Sequence, residues 1–256
     1  MKKVLSWNDF GYNPIGLYDL GYGGLFILAE LKKKCPNTDF IFLGDNLTAK
    51  TATLTESDVV HLTSLGLSKL NELGCKTNII ACNTACALWP SFNQSTIDII
   101  SPTINWVRKL SPKNLGILAT EKTIASGIYQ SALNYKAYQA CPEWAQLVER
   151  NEISTDECFH IVKNNLEQLF NQSPDIDTIL LACTHYVALS DIILELYPKV
   201  KLISQGEIIA DYILSKNIQS SRGGTCKYYT TGDTLEFDFQ LSNLFHMNGN
   251  SYEIEL

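Results

Sequence analysis

Positive charge is scarce in this chain. Twenty lysines and arginines face 27 aspartates and glutamates, for a formal net charge of −7. A broad nucleic-acid surface needs a clustered cationic patch, so nucleic acid is not an expected partner. Long apolar runs are missing as well. Nothing approaches the roughly 18 uninterrupted apolar residues that a membrane span requires, so no membrane association is expected. Lys2 and Lys3 are followed only by Val4-Leu5-Ser6-Trp7 before Asn8 and Asp9. That apolar stretch is too short for a signal peptide, and the expected location is cytoplasmic. Gly21-Tyr22-Gly23-Gly24 lacks the Gly-x-Gly-x-x-Gly spacing, and no Walker lysine follows it, which argues against a nucleotide loop. Cys82 and Cys86 have no second pair at ligand spacing, so Cys86 reads as a buried helix thiol and no metal is expected. No lysine stands in a Schiff-base motif, and no cofactor is expected.

The 256 residues suit one large or two small domains. With 45% hydrophobic and 18% charged residues, the chain has ample material for a core and is not disordered. Eight cysteines in a chain of this length without an export signal read as reduced thiols. Cys35, Cys75, Cys141, Cys158 and Cys226 read as small buried hydrophobes.

Short apolar runs alternate with amphipathic stretches. Expected strands cover 15–19, 40–44, 78–82, 115–119, 137–140, 178–182 and 200–203. Expected helices cover 24–33, 58–73, 157–170 and 189–196. Such alternation predicts βαβ units and an α/β fold with mostly parallel sheets. Breaks are expected at Ser101-Pro102-Thr103, at Ser111-Pro112-Lys113-Asn114 and across 219–225.

One internal echo stands out. Ile79-Ile80-Ala81-Cys82-Asn83-Thr84-Ala85 resembles Leu180-Leu181-Ala182-Cys183-Thr184-His185-Tyr186, 101 positions later. Each is an apolar strand, an alanine, a cysteine and small polar residues leading into a helical pattern. Taken singly, each cysteine reads as a core thiol; the repeat changes that reading. Two related halves facing each other across a cleft bring Cys82 and Cys183 together at equivalent strand ends, where parallel sheets bind ligands. A helix amino end beside each thiol is expected to lower its pKa and to attract a carboxylate. Two such thiols can invert a carbon stereocentre, one removing a proton from one face while the other delivers a proton to the opposite face. Asn83, Thr84 and Thr184 can donate hydrogen bonds to a carboxylate. His185 can assist Cys183, and Asp19, ending the first strand before a glycine-rich turn, can assist Cys82.

These segments, with Ile15 to Gly24, Gly44-Asp45, Leu115 to Ile124, Ser126-Gly127-Ile128-Tyr129-Gln130, Ala140-Cys141-Pro142 and Leu147-Val148-Glu149, resemble the aspartate/glutamate racemase family in order and over roughly residues 15 to 210. The resemblance implies two flavodoxin-like lobes related by a pseudo-twofold, with the active site between them. Residues 1–103 and 206–256 form the first lobe and 104–205 the second. It implies cofactor-independent interconversion of L- and D-glutamate, supplying D-glutamate for peptidoglycan in a bacterial cytoplasm, by a protein that forms a homodimer. The catalytic residues it implies are Cys82 and Cys183, with Asp19 and His185 as helpers. Its substrate contacts fall at Asn83, Thr84, Thr184, Thr120, Thr123, Thr51 and Ala52.

Four motifs depart from the family pattern. Asp-Ser-Gly is Asp19-Leu20-Gly21 here, and Pro-Tyr-Gly becomes Lys50-Thr51-Ala52. Thr-His-Tyr-Pro ends in Val187, and a later Asp is Ser204. These changes touch substrate selection more than the two thiols. They leave open a racemase of another amino acid and a binding or regulatory protein on the same fold. The two cysteines also leave open thiol redox chemistry, which requires both sulfurs within disulfide reach.

Overall fold

Runs such as Ile-Gly-Leu-Tyr-Asp and Thr-Ile-Leu-Leu-Ala are apolar on both faces, the pattern of strands covered by helices on either side. The computed structural model describes residues 13–49, 54–93, 95–218, 220–221 and 223–256. Its elements run, in chain order, β1 (Ile15–Asp19), α1 (Gly24–Lys34), β2 (Phe40–Gly44), α2 (Asn46–Ala49), α3 (Glu56–Glu72), β3 (Thr77–Ile80), α4 (Asn83–Leu88), β4 (Thr96–Asp98) and α5 (Ile100–Leu110). Then come β5 (Leu115–Ala119), α6 (Glu121–Ala125), α7 (Ile128–Ala132), β6 (Ala137–Ala140), α8 (Pro142–Glu149), α9 (Asp156–Gln172) and β7 (Thr178–Ala182). A 3-10 helix (Thr184–Leu189), α10 (Ser190–Leu196), β8 (Lys201–Ile203), α11 (Gly206–Ser215), β9 (Cys226–Thr230), α12 (Thr234–Asn243) and β10 (Ser251–Glu253) complete the order.

The strands form two sheets, ordered β10-β9-β2-β1-β3-β4 and β6-β5-β7-β8, with every paired strand parallel. Within the first, β2-β1-β3-β4 has the same connectivity as the whole of the second. The expected α/β class with mostly parallel sheets is therefore present, and the echo in the sequence is an echo in topology. Strands β9 and β10 return from the far end of the chain to extend the first sheet beyond β2. The two sheets also share apolar packing. One continuous buried cluster joins Leu17, Phe42 and Ile79 of the first to Ile117, Ala119, Leu180 and Ala182 of the second. A separate cluster around Trp144, Val162 and Ile179 fills the outer side of the second sheet.

Local sequence sets the helix ends. Thr55 caps α3 in a capping box, accepting from the Asp58 N–H while the Asp58 carboxylate accepts the Thr55 N–H at 2.8 Å. Thr155 caps α9 through the Cys158 N–H. The break expected at Ser101-Pro102-Thr103 is instead the first turn of α5, where a proline loses no intrahelical hydrogen bond. The break at 111–114 is present. Ser111 ends α5 in the left-handed region at φ 48. Strands β4, β9 and β10 were not expected. They are short or polar, and each mixes buried residues with partly buried or exposed ones. No helix among the described residues is long and apolar enough to cross a membrane.

Helix α3 lies against β1 through a glycine. A Cβ at Gly66 falls 2.1 Å from Cε2 of the fully buried Tyr18. Gly66→Ala, which favours an isolated helix by about 1 kcal/mol, is expected to destabilise this protein by about 1–3 kcal/mol through overpacking. Chemical unfolding of the variant checks it, and unchanged or raised stability contradicts the packing described.

Candidate active site

Strand order decides where the site lies. In each sheet the connections reverse direction beside the first strand, between β1 and β3 and between β5 and β7. Ligands of open parallel sheets bind at this reversal, outside the carboxyl ends of the strands. Asp19 ends β1, Ala81-Cys82 follows β3, Thr120 follows β5, and Cys183 follows β7. All four reach one cavity of about 280 Å³, together with Leu20, Thr84, Thr184 and His185. This lies at the small end of ligand cavities and suits a metabolite rather than a polymer. A second cavity of about 330 Å³ touches Cys183 and Thr184 from the side of α1 and α11, but Cys82 does not line it. Only the cavity that holds both thiols can serve two-sided chemistry.

Each thiol has its own surroundings. Cys82 has extended backbone angles (φ −132, ψ 123) just before α4. Burial pushes its thiol well above the ordinary range, and Asp19 adds to the rise; the Ala85 and Leu20 backbone N–H groups oppose it. The expected lowering by a helix amino end is thus overturned at Cys82, because desolvation of the anion outweighs two backbone N–H groups. Cys183 is buried, and its sulfur lies 3.9 Å from His185 Nδ1. On the other side of that ring, Nε2 lies 2.9 Å from Glu149 Oε1 at the end of α8. Burial alone lowers the His185 pKa, but Cys183 and Glu149 outweigh it and hold the imidazole well above its usual range. A carboxylate that holds a protonated imidazole beside a thiol is an arrangement that can pass protons to and from the sulfur.

Asp19 is buried and accepts the Gly21 N–H at 2.6 Å through Oδ1. Its pKa is raised to about 6 by burial, against the opposing pull of His185. The loop after it passes close to the second half. A Cβ at Gly23 falls 2.2 Å from Thr184 Oγ1 and 2.6 Å from the His185 ring, so only glycine lets these segments meet. Gln240 of α12 donates to the Glu149 carbonyl at 2.6 Å and ties the end of α8 to the returning segment.

Comparison with known proteins agrees with this geometry. The Asp/Glu/Hydantoin racemase family profile matches residues 44–213. The chain belongs to this family. It is 32% identical over 251 residues to a glutamate racemase of Exiguobacterium sibiricum, covering 91% of this chain and 92% of that protein. It is 30% identical to a glutamate racemase of Persephonella marina, with 88% and 90% covered. The crystal structure of a glutamate racemase from Bacillus anthracis superimposes with a TM-score of 0.86 at 26% identity, covering 96% of this chain and 98% of that one.

The residues expected from sequence distribute unevenly within this racemase fold. Asp19, Cys82, Thr84, Thr120, Cys183, Thr184 and His185 line the common cavity. Asn83 also lines it, but its amide is engaged below the cavity. It donates to Gln205 Oε1 at 2.5 Å, and Oδ1 accepts from Tyr129 Oη at 2.7 Å and from Gln205 Nε2 at 3.1 Å. Thr123 is fully buried, accepts from the Thr120 hydroxyl at 3.0 Å, and does not line the cavity. Thr51 and Ala52 lie outside the described residues. Glu149, Tyr129 and Gln205 had no role assigned from sequence. Glu149 and Tyr129 stand in segments that carry the family resemblance, which is the signal that pointed toward them; Gln205 had none.

The raised Asp19 pKa has a consequence for stability. The carboxyl protonates near 6 in the folded protein against an ordinary 3.8. Its contribution is therefore full below the lower value and is lost as pH rises through the upper one, by about 3 kcal/mol. Asp19→Asn removes that loss. Urea midpoints are expected to show the variant gaining on the wild type between about pH 4 and about pH 8. A constant difference across that range contradicts the shift.

Proposed function

We propose that the protein interconverts L- and D-glutamate by proton transfer at the α-carbon between Cys82 and Cys183, without pyridoxal phosphate or a metal. The observation that carries the reading is the placement of both thiols on one metabolite-sized cavity, each just after the third strand of a β2-β1-β3-β4-type sheet. Close relatives with this architecture are glutamate racemases. In one direction a thiolate removes the α-proton while the opposing thiol donates a proton to the other face. One C–H bond breaks, one forms with inverted configuration, and the proton inventory of the two sulfurs is exchanged. The reverse reaction swaps the roles.

The electrostatics support this division of labour. Cys82 is held protonated at rest, so the substrate's α-ammonium entering the cavity favours its thiolate, since a nearby cation lowers a thiol pKa. Cys183 has a proton-exchanging partner at hand in His185, whose imidazole Glu149 orients and helps to keep protonated. Thr84 and Thr184 supply hydroxyls for the substrate carboxylates. General acid–base transfer contributes about 10²–10⁴-fold, and the remainder comes from electrostatic stabilisation of the carbanion-like transition state. The same proposal includes a cytoplasmic setting in which D-glutamate enters peptidoglycan, a homodimer, and division of the chain into 1–103 plus 206–256 and 104–205. A racemase of another amino acid is the second reading, because Leu20 brings an apolar side chain to the cavity wall.

Purified protein is given L-glutamate and then D-glutamate, and optical activity is followed by circular dichroism with no cofactor added. Both signals are expected to decay, and Cys82→Ser or Cys183→Ser is expected to slow the decay by a hundredfold or more, about the scale of one acid–base group. A flat signal from glutamate but decay with another amino acid establishes the second reading, and wild-type rates in both variants sink the two-thiol proposal.

A further inference from the structure

One charged group on the cavity wall has no part in the proton transfer. Lys122, near the start of α6, is partly buried and is the one lysine or arginine among the described residues that line the cavity. It makes no ion pair with any described residue. The other charged groups on this wall are engaged with each other. Glu149 pairs with His185, and His185 holds Cys183. Lys122 therefore faces the cavity as an uncommitted cation on a chain of net charge −7.

Depth separates two ends of the cavity. Asp19, Asn83, Cys183 and His185 form a buried floor. Thr84, Thr120 and Lys122 are partly exposed, and Gln146 beyond them is exposed, so they form the rim. The Thr84 and Thr120 hydroxyls lie 2.9 Å apart and bridge the two halves of the molecule at this rim. An α-carbon reacting at the thiols lies deep, and its side chain extends outward. Leu20 offers that side chain no hydrogen-bond donor.

Resting on the glutamate racemase reading, we propose that Lys122, together with the Thr84 hydroxyl, forms the subsite for the substrate's side-chain carboxylate. It makes Lys122 the residue that selects acidic over neutral amino acids. An ammonium on a flexible stem suits this place, since it reaches an anion at the rim while remaining partly hydrated. The Thr120 hydroxyl already donates to Thr123, so the Thr84 hydroxyl, released from Thr120, adds the directional hydrogen bond to the charge.

The test is Lys122→Met and Lys122→Arg, assayed by racemisation of glutamate and of glutamine, which differs by a neutral amide in place of the carboxylate. Lys122→Met is expected to raise KM for glutamate about tenfold or more with kcat within about threefold, as loss of a charge-assisted contact predicts. Glutamine turnover is expected to be unchanged, and Lys122→Arg to recover most of the loss. Thermal unfolding confirms that both variants are folded. An unchanged glutamate KM overturns the inference, and so does an equal loss for glutamate and glutamine, which assigns Lys122 to the α-carboxylate or to the fold. If the wild type racemises neither, the racemase reading fails on its own. Calorimetric binding of D-glutamate then decides Lys122: weaker binding by Lys122→Met sustains the subsite, and equal binding removes it.

Discussion

Inverting a carbon centre by proton transfer requires two acid–base groups on opposite faces of one atom, and this requirement organises the molecule. A single parallel sheet presents its reactive loops along one edge and approaches a ligand from one side. Two sheets of the same connectivity, set against one cavity, approach it from two. Cys82 follows β3 and Cys183 follows β7, the equivalent strands of the two sheets. Everything else serves to hold these strand ends at a fixed separation: the apolar cluster shared by both sheets, the glycine at 23 that lets the first loop touch Thr184, and the buried amide pair Asn83–Gln205.

That amide pair shows how polar groups secure what apolar packing leaves adjustable. Gln205 Nε2 also lies within hydrogen-bond distance of Tyr129 Oη at 3.0 Å and Thr103 Oγ1 at 3.2 Å. The groups come from α4, α5, α7 and the start of α11, so the network spans elements of both sheets directly behind Cys82. Buried polar networks of this kind are costly when broken, because each orphaned group keeps its desolvation penalty. On the Cys183 side, the Glu149–His185 pair plays the corresponding part. The two halves thus share topology but not electrostatics. A carboxyl with a raised pKa stands beside one thiol, and an acid-oriented imidazole beside the other.

The sequence made the fold class legible because β1, β2, β5 and β7 are largely apolar runs bounded by helical patterns, and their limits, like those of β6, agree with those expected. It hid β4, β9 and β10. Thr-Ile-Asp, Cys-Lys-Tyr-Tyr-Thr and Ser-Tyr-Glu lack such a run and pair toward the sheet margins, where tertiary contacts rather than composition decide the conformation. Pro102 misled for a positional reason, being harmless in a first turn. At the site, the two cysteines were legible through their repeated context. Gln205 was not, and Glu149 was marked only by its segment and not by its partner, since each meets that partner across dozens of residues of chain and only the folded arrangement brings them together. The thiol pKa was misjudged for a similar reason. A helix amino end is visible in sequence, whereas the burial that dominates at Cys82 is a property of the packed cavity.

The central claim is that two separate groups serve the two faces of the α-carbon. The most direct measurement runs the reaction in deuterated water from L-glutamate and analyses both enantiomers early, before product returns. With two bases the D-glutamate formed carries solvent deuterium at Cα while the remaining L-glutamate keeps its original hydrogen. Deuterium appearing equally in the recovered L-glutamate indicates a single group exchanging with solvent on one face, and contradicts the account.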